Sequence, residues 1–316
     1  MKNKNKTKLT IIIFAFILIS LIIFSLFYVG NFLYDVAINP NMDKSTILGS
    51  TYPILKNSEE VSIQNTFFSD NTYLDRNITS DDNLNLHAYE FNQHTDRWAI
   101  IAHGYSSEGK QMAKSAEHFY ENGYSVMVID LRSHGKSEGD YIGMGWDDRL
   151  DLLKWVHLIE KENPNAQIVL YGVSMGAATV MNTTGENLPV NVKAAIEDCG
   201  YTSTWDIFAH QMHSLFNLPS HPFLDFADLV TQLRAGYSFR EGGALDQVKK
   251  STTPTLFIHG SKDNFVPFYM LDELYNAASC KKQKLVINGA GHGESAETDP
   301  IKYWNTIDTF LMKYVK

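Results

Sequence analysis

Gly172-Val173-Ser174-Met175-Gly176 sets a serine between two glycines, directly after the apolar run 168–171 and before the small-residue segment 177–181. A G-x-S-x-G between a strand and a helix lifts a hydroxyl onto a sharp, strained turn. Residues two before and two after the serine crowd each other there, so both are glycine. The chemistry suited to such a hydroxyl is attack on a carbonyl. The N–H of Met175, opening the following helix, points to where negative charge develops during that attack.

A serine hydroxyl needs a base, ordinarily a histidine held in one tautomer by a carboxylate. The chain has eleven histidines. His292 stands apart because Gly289-Ala290-Gly291-His292-Gly293 surrounds it with glycine just after the last apolar run, 285–287. Asp263 lies in Gly260-Ser261-Lys262-Asp263-Asn264, after the run 256–259, which gives the order Ser, Asp, His. An Asp in a surface turn is ordinarily a turn former, so Asp198, at another strand end, is the rival acid. His103-Gly104-Tyr105 suits a second oxyanion donor, the backbone N–H of Tyr105.

These groups must be brought together by a scaffold. Alternation at Val61 and Ile63, and again at Leu84, Leu86 and Ala88, predicts two antiparallel strands. Apolar runs then predict strands at 97–102, 124–129, 168–171, 192–196, 256–259 and 285–287. Helices are expected after 103–109 as far as about 122, over 147–161 with Leu152, Val156 and Ile159 on one face, and around Phe268–Tyr275. The last helix has Asp299 as N-cap and Pro300 at its first position, with Ile301, Trp304, Ile307 and Leu311 as its buried stripe. Strands alternating with helices define the α/β class, a mostly parallel sheet covered on both faces. Ligands bind beyond the carboxyl ends of such strands, where Ser174, His103, Asp198 and His259 all fall.

Residues 201–239 hold no strand but many apolar and aromatic side chains, Trp205, Phe208, Phe216, Phe223 and Phe226 among them. An insertion that long and apolar, placed at about 201–245, is expected to cap the site. An Asp130–Arg132 ion pair is expected to pin the loop after 124–129, with His134 structural. His210, His213 and His221 lack a completing Cys or carboxylate, so no metal is expected. The two cysteines, Cys199 and Cys280, fall at opposite edges of the sheet and are expected to be free thiols.

Residues 9–33 carry no charge, enough to cross a hydrocarbon core that takes about 20 apolar residues. A cleaved leader has a shorter apolar run and a small-x-small site, which this stretch lacks. Lys2, Lys4, Lys6 and Lys8 precede it and Asp35 and Asp43 follow, so the expected topology is single-pass in the cell membrane, N-terminus cytoplasmic and body outside. The predicted organisation is therefore a tail and signal-anchor helix over 1–33, a linker over 34–60 with room for one helical turn on the domain, and a domain over 61–316. The formal charge is −9 although the first eight residues are basic, which excludes a nucleic-acid partner for the acidic body.

HGYSSEG (103–109), DLRSHGKSEG (130–139), GVSMG (172–176), HGSKDNFVP (259–267) and GAGHGE (289–294) together resemble the α/β-hydrolase superfamily. The likeness is to bacterial membrane-anchored serine hydrolases of the monoacylglycerol-lipase and serine-aminopeptidase-like group, and it covers residue 61 to the C-terminus. It implies a Ser174–Asp263–His292 triad, an oxyanion hole of the Tyr105 and Met175 amides, and no cofactor. The expected reaction is hydrolysis of carboxylic esters with apolar acyl or aryl groups. A peptidase or amidase using the same triad is the alternative, with Asp206 or Arg234 anchoring a peptide terminus. A catalytically silent surface-binding module on this scaffold is the other.

Overall fold

The computed structural model describes residues 2–44 and 66–316, with side chains of the first helix from residue 6. Eight strands form one sheet: β1 (Leu74–Thr79), β2 (Asn85–Phe91), β3 (Arg97–Ala102), β4 (Ser125–Ile129), β5 (Gln167–Val173), β6 (Val192–Asp198), β7 (Thr255–Gly260) and β8 (Lys282–Ile287). Their spatial order is β1-β2-β4-β3-β5-β6-β7-β8. The β1–β2 and β2–β4 pairs are antiparallel and every later pair is parallel. The chain reverses its progress across the sheet at β3, so the loops after β3 and β5 face each other where a ligand crevice opens.

The parallel strands are long apolar runs because both faces are covered. In β3, Ile100 and Ala102 face one core, and Ala99 and Ile101 the other. The first core holds Leu152, Trp155, Val156 and Ile159 of the helix Asp148–Glu162. The second holds Phe119 and the C-terminal helix Pro300–Leu311, whose N-cap Asp299 accepts the Lys302 amide at 3.1 Å. Of the expected stripe, Ile307 and Leu311 are buried and Trp304 packs partly buried on the same core, but Ile301 is 75% exposed. Tyr303 and Phe310 complete the buried face, and the Tyr303 hydroxyl reaches Tyr171 Oη at 2.8 Å in the core.

The strand expected at Val61 and Ile63 lies outside the described residues. The described partner of β2 is β1, an edge strand with no buried residue, so it carries little of the alternation that marks a half-buried strand. The expected Asp130–Arg132 pair is not made. Asp130 turns back to His87 Nδ1 and to the amides of Gly109 and Lys136. Arg132 leaves the loop on the other side, donating to Asp151 and Asp82. Two carboxylates served from a different helix and turn outcompete a neighbour in the same bend. Cys199 and Cys280 are free, the first at the end of β6, the second ahead of β8.

Between β6 and β7 lie the helices Thr204–Phe216, Phe223–Ala235 and Ala244–Lys250. The first begins on Ser203, whose hydroxyl accepts the Asp206 amide at 3.0 Å. The first two sit over the carboxyl ends of the strands, and the third packs beside the elbow helix Met175–Thr184. The N-terminal helix spans Lys2–Ala37, is long and apolar enough to cross a membrane, and ends packed against Phe223–Ala235.

Candidate active site

Ser174 closes β5 with φ 57° and ψ −117°, a conformation that side chains rarely tolerate. The flanking glycines are needed for a reason visible in atoms. A Cβ at Gly172 would lie 2.2 Å from the Gly176 carbonyl oxygen, and one at Gly176 would lie 2.2 Å from that of Ala102. The serine amide is held by the Asp198 carbonyl at 2.8 Å.

Asp263 and His292 arrive on the loops after β7 and β8. His292 Nε2 is 2.8 Å from Ser174 Oγ, and Nδ1 is 2.7 Å from Asp263 Oδ2. The other carboxylate oxygen, Oδ1, accepts the amides of Phe265 and Val266 at 2.9 and 2.8 Å. Burial pushes the Asp263 carboxyl up, but His292 and His259 outweigh it and hold the group well below the usual carboxylate range. Asp263 is therefore a fixed anion. With Nδ1 donating to that carboxylate, Nε2 can accept a proton from Ser174 Oγ.

Asp198 does not reach His292. Its carboxylate accepts from Ser295 Oγ at 3.1 Å, and burial raises its proton affinity. One further contributor stands at a strand end in the sequence with no role assigned to it. His259, at the end of β7, sits with Nε2 3.2 Å from Asp263 Oδ2 and 3.0 Å from the Val266 carbonyl. Burial lowers its basicity, but the Asp263 hydrogen bond and charge lead the effects that leave it above the ordinary histidine value. Its signal was position: a strand-end histidine four residues before the aspartate. Nearby Glu197 accepts the Gly200 amide at 3.0 Å, and burial pushes its carboxyl up to about 8.

The loop after β3 abuts the serine, for a Cβ at Gly104 would lie 3.5 Å from Ser174 Cβ. His103 pins that loop, with Nδ1 on the Gly104 carbonyl at 2.7 Å and Nε2 accepting the Leu131 amide at 3.0 Å. Burial pushes its imidazole down to about 3, so it stays neutral. The amides of Tyr105 and Met175 find no acceptor among the described residues. The Tyr105 hydroxyl accepts from Lys44 Nζ at 2.7 Å and donates to the Ala37 carbonyl at 2.8 Å. His134 is buried, with Nδ1 on the Arg132 carbonyl.

Cys199, Asp263 and His292 bring three potential metal donors within 4.8 Å of one another. That set does not suit a metal. His292 Nδ1 already shares a proton with Asp263, and burial keeps the Cys199 thiol protonated, well above its ordinary value. His210 Nε2 lies against the Asn264 carbonyl and His221 Nδ1 against Asp225, so these do not converge. Above Ser174 opens a cavity of about 80 Å³ whose wall includes Leu33, Phe208, Met212, Phe216 and Phe265. Among the described residues, no charged side chain lines it.

A mostly parallel sheet with a serine elbow after a central strand, and an acid and a histidine on the loops after two later strands, defines the α/β hydrolases. The chain belongs to that superfamily, and hydrolase chemistry is the class of activity that membership supports. Residues 93–215 match the family described as serine aminopeptidase, S33. The chain is similar to the uncharacterized protein YqkD of Bacillus subtilis, 30% identical over 218 residues, covering 69% of this chain and 72% of that one. It is also similar to the uncharacterized protein YfhR of Escherichia coli K12, 27% identical and covering 61% and 63%. Among solved structures, the Pyrococcus furiosus esterase Pf2001 superposes with TM-score 0.64 at 24% identity, covering 78% of this chain and 94% of that one. The Exiguobacterium antarcticum esterase EaEST does so with TM-score 0.57 at 17% identity, covering 76% and 100%.

Proposed function

We propose that the protein is a serine hydrolase that cleaves carboxylic esters with apolar acyl or aryl groups. Ser174 Oγ attacks the ester carbonyl as His292 Nε2 takes its proton, and the Tyr105 and Met175 amides hold the oxyanion. The imidazolium, held against Asp263, gives that proton to the leaving alcohol. Water, deprotonated by the same nitrogen, then attacks the acyl-enzyme and releases the acid. The observation that carries this reading is the His292 ring bridging Ser174 Oγ at 2.8 Å and Asp263 Oδ2 at 2.7 Å, beneath an uncharged apolar cavity.

An ester preference is supported over a peptidase by the groups that would anchor a peptide terminus. Asp206 accepts from Thr202 and Ser203, and Arg234 is taken by Asp35. The helices over 204–235 act as the cap. The helix Lys2–Ala37 acts as a single-pass signal anchor, with the N-terminus cytoplasmic and the catalytic domain outside.

The test is the full-length protein with p-nitrophenyl butyrate, aminoacyl p-nitroanilides and a fluorophosphonate probe. Ester turnover and labelling, both abolished in Ser174→Ala, are expected. Preferential anilide cleavage would move the assignment to a peptidase. Absence of both turnover and labelling would favour a silent binding module.

A further inference from the structure

The N-terminal helix does two things at once. From Leu9 to Phe24 its large apolar side chains are about half or more exposed, and none of the described residues covers them. Burial begins near Leu26 on one face and reaches Gly30, where a Cβ would lie 2.7 Å from the Phe226 carbonyl oxygen. Leu33, Tyr34, Val36 and Ile38 are then buried, and Arg234 pairs with Asp35 at 3.1 Å while stacking over Tyr34. Leu33, Val36 and Ala37 belong to the wall of the cavity above Ser174.

The geometry fixes which end of the cavity meets the membrane. Gly30 opposes Phe226 and Asp35 opposes Arg234, so the two helices run parallel. The cap-helix end nearer the bilayer is therefore its N-terminal end, at Phe223, with the loop 217–222 that precedes it. At 1.5 Å per residue, a span of about 30 Å begun at Leu9 ends near Tyr28, about 3 Å short of Gly30. That puts Leu218, Pro219, Pro222 and Phe223 at the lipid surface. The cavity shares this end of the cap: Leu215, Phe216 and Leu224 line it together with Leu33.

We infer that the anchor helix forms one wall of the acyl pocket, and that the site takes single-chain acyl esters sideways out of the bilayer, the chain lying between Leu33–Ala37 and the cap. The inference rests on the ester-hydrolase reading and adds the substrate class and its source. A narrow uncharged slot holds one methylene chain, which leaves lipid for protein without crossing water. The ester carbonyl then stands at Ser174, and the polar head faces the loop after β3. Val36 and Leu33 are specificity-determining residues.

The test uses the full-length protein in phosphatidylcholine vesicles. Val36→Phe fills the slot and Val36→Ala widens it. The ratio of kcat/KM for p-nitrophenyl laurate to that for the acetate is expected to fall at least tenfold in Val36→Phe and to rise in Val36→Ala. An unchanged ratio in both, or equal loss of both esters in both, overturns the pocket assignment. With 1-oleoylglycerol in the vesicles, hydrolysis is expected to fall about tenfold when inert phosphatidylcholine dilutes it tenfold at constant total substrate. A rate that follows the bulk amount instead overturns delivery from the bilayer. Acetate hydrolysis that depends on Ser174 would survive either failure, whereas its absence would remove the ester-hydrolase reading itself.

Discussion

Asp263→Asn is the sharpest test of the proposed chemistry, because it changes charge and proton placement while keeping shape. An asparagine oxygen can still accept the Phe265 and Val266 amides in place of Oδ1. Its NH2 then faces His292 Nδ1, which must become an acceptor, leaving the proton on Nε2, where the serine needs a base. The charge is lost as well. At 2.7 Å and an effective dielectric of about 20, a carboxylate stabilises the imidazolium by at most about 6 kcal/mol. Allowing for the dipole that asparagine retains, a loss of about 4–5 kcal/mol of transition-state stabilisation is expected, some three to four powers of ten in kcat. The assay is steady-state hydrolysis of p-nitrophenyl butyrate between pH 6 and 10, with thermal melting to confirm folding. Residual activity should climb with hydroxide concentration, since the internal base is gone. A folded variant within tenfold of wild type would refute the reasoning, as would a larger loss in Asp198→Asn.

Other expectations follow from single contacts. Tyr105→Phe removes the acceptor of Lys44 and the donor to the Ala37 carbonyl. A cost of about 1–2 kcal/mol in stability, with a several-fold fall in kcat, is expected by melting and ester kinetics. An unchanged variant would mean that these bonds do not hold the loop. Glu197, pushed up to about 8 by burial, is neutral in the fold and charged when unfolded between about 4.5 and 8. Its raised value adds stability below about pH 4.5 that is lost as pH rises through 8. Wild type should therefore lose stability relative to Glu197→Gln from pH 5 to 8, by up to about 1.4 kcal/mol per pH unit, and parallel melting curves would exclude this. Gly176→Ala drives a Cβ to 2.2 Å from a backbone oxygen and should unfold the protein or cost over about 3 kcal/mol. Gly243→Ala, whose Cβ would meet nothing nearer than 3.8 Å, should change urea stability by less than about 1 kcal/mol.

The parts readable in the sequence are those where chemistry leaves few alternatives. Gly172 and Gly176 must be glycine because backbone oxygens occupy the space of a Cβ, so the turn leaves its mark in residue type. Buried parallel strands leave apolar runs, and the loop carrying Asp263 follows one of them, while that carrying His292 follows the short apolar end of the edge strand β8. Features that depend on a partner distant in sequence leave no local mark. His259 reads as one more core histidine until the fold sets it against Asp263. Arg132 finds Asp151 and Asp82 rather than the aspartate two residues away, and β1 has no buried face to announce itself. Ile301 fits a helical stripe as well as Tyr303 does, and the Tyr171 hydroxyl decides between them.

Residues 33–44 show how such long-range partners join what local composition separates. By sequence this stretch is the tail of an apolar helix and the start of a polar linker. In the fold, Leu33, Tyr34 and Ile38 share one core with Ile100 and Leu170 of the sheet, and the Ile38 carbonyl accepts the Ile142 amide at 2.9 Å. Lys44 is the tightest link: it is 7% exposed, and burial lowers its ammonium to about 8 as it donates to Tyr105. A buried amine is costly unless it is bonded, and this bond ties residue 44 to the loop after β3. The Tyr105 hydroxyl is thus fastened to both ends of the 37–44 segment. The helix, the loop and the apolar slot are joined in one packed unit. A domain freed by cutting before residue 66 would lose a wall of its cavity and both bonds to Tyr105.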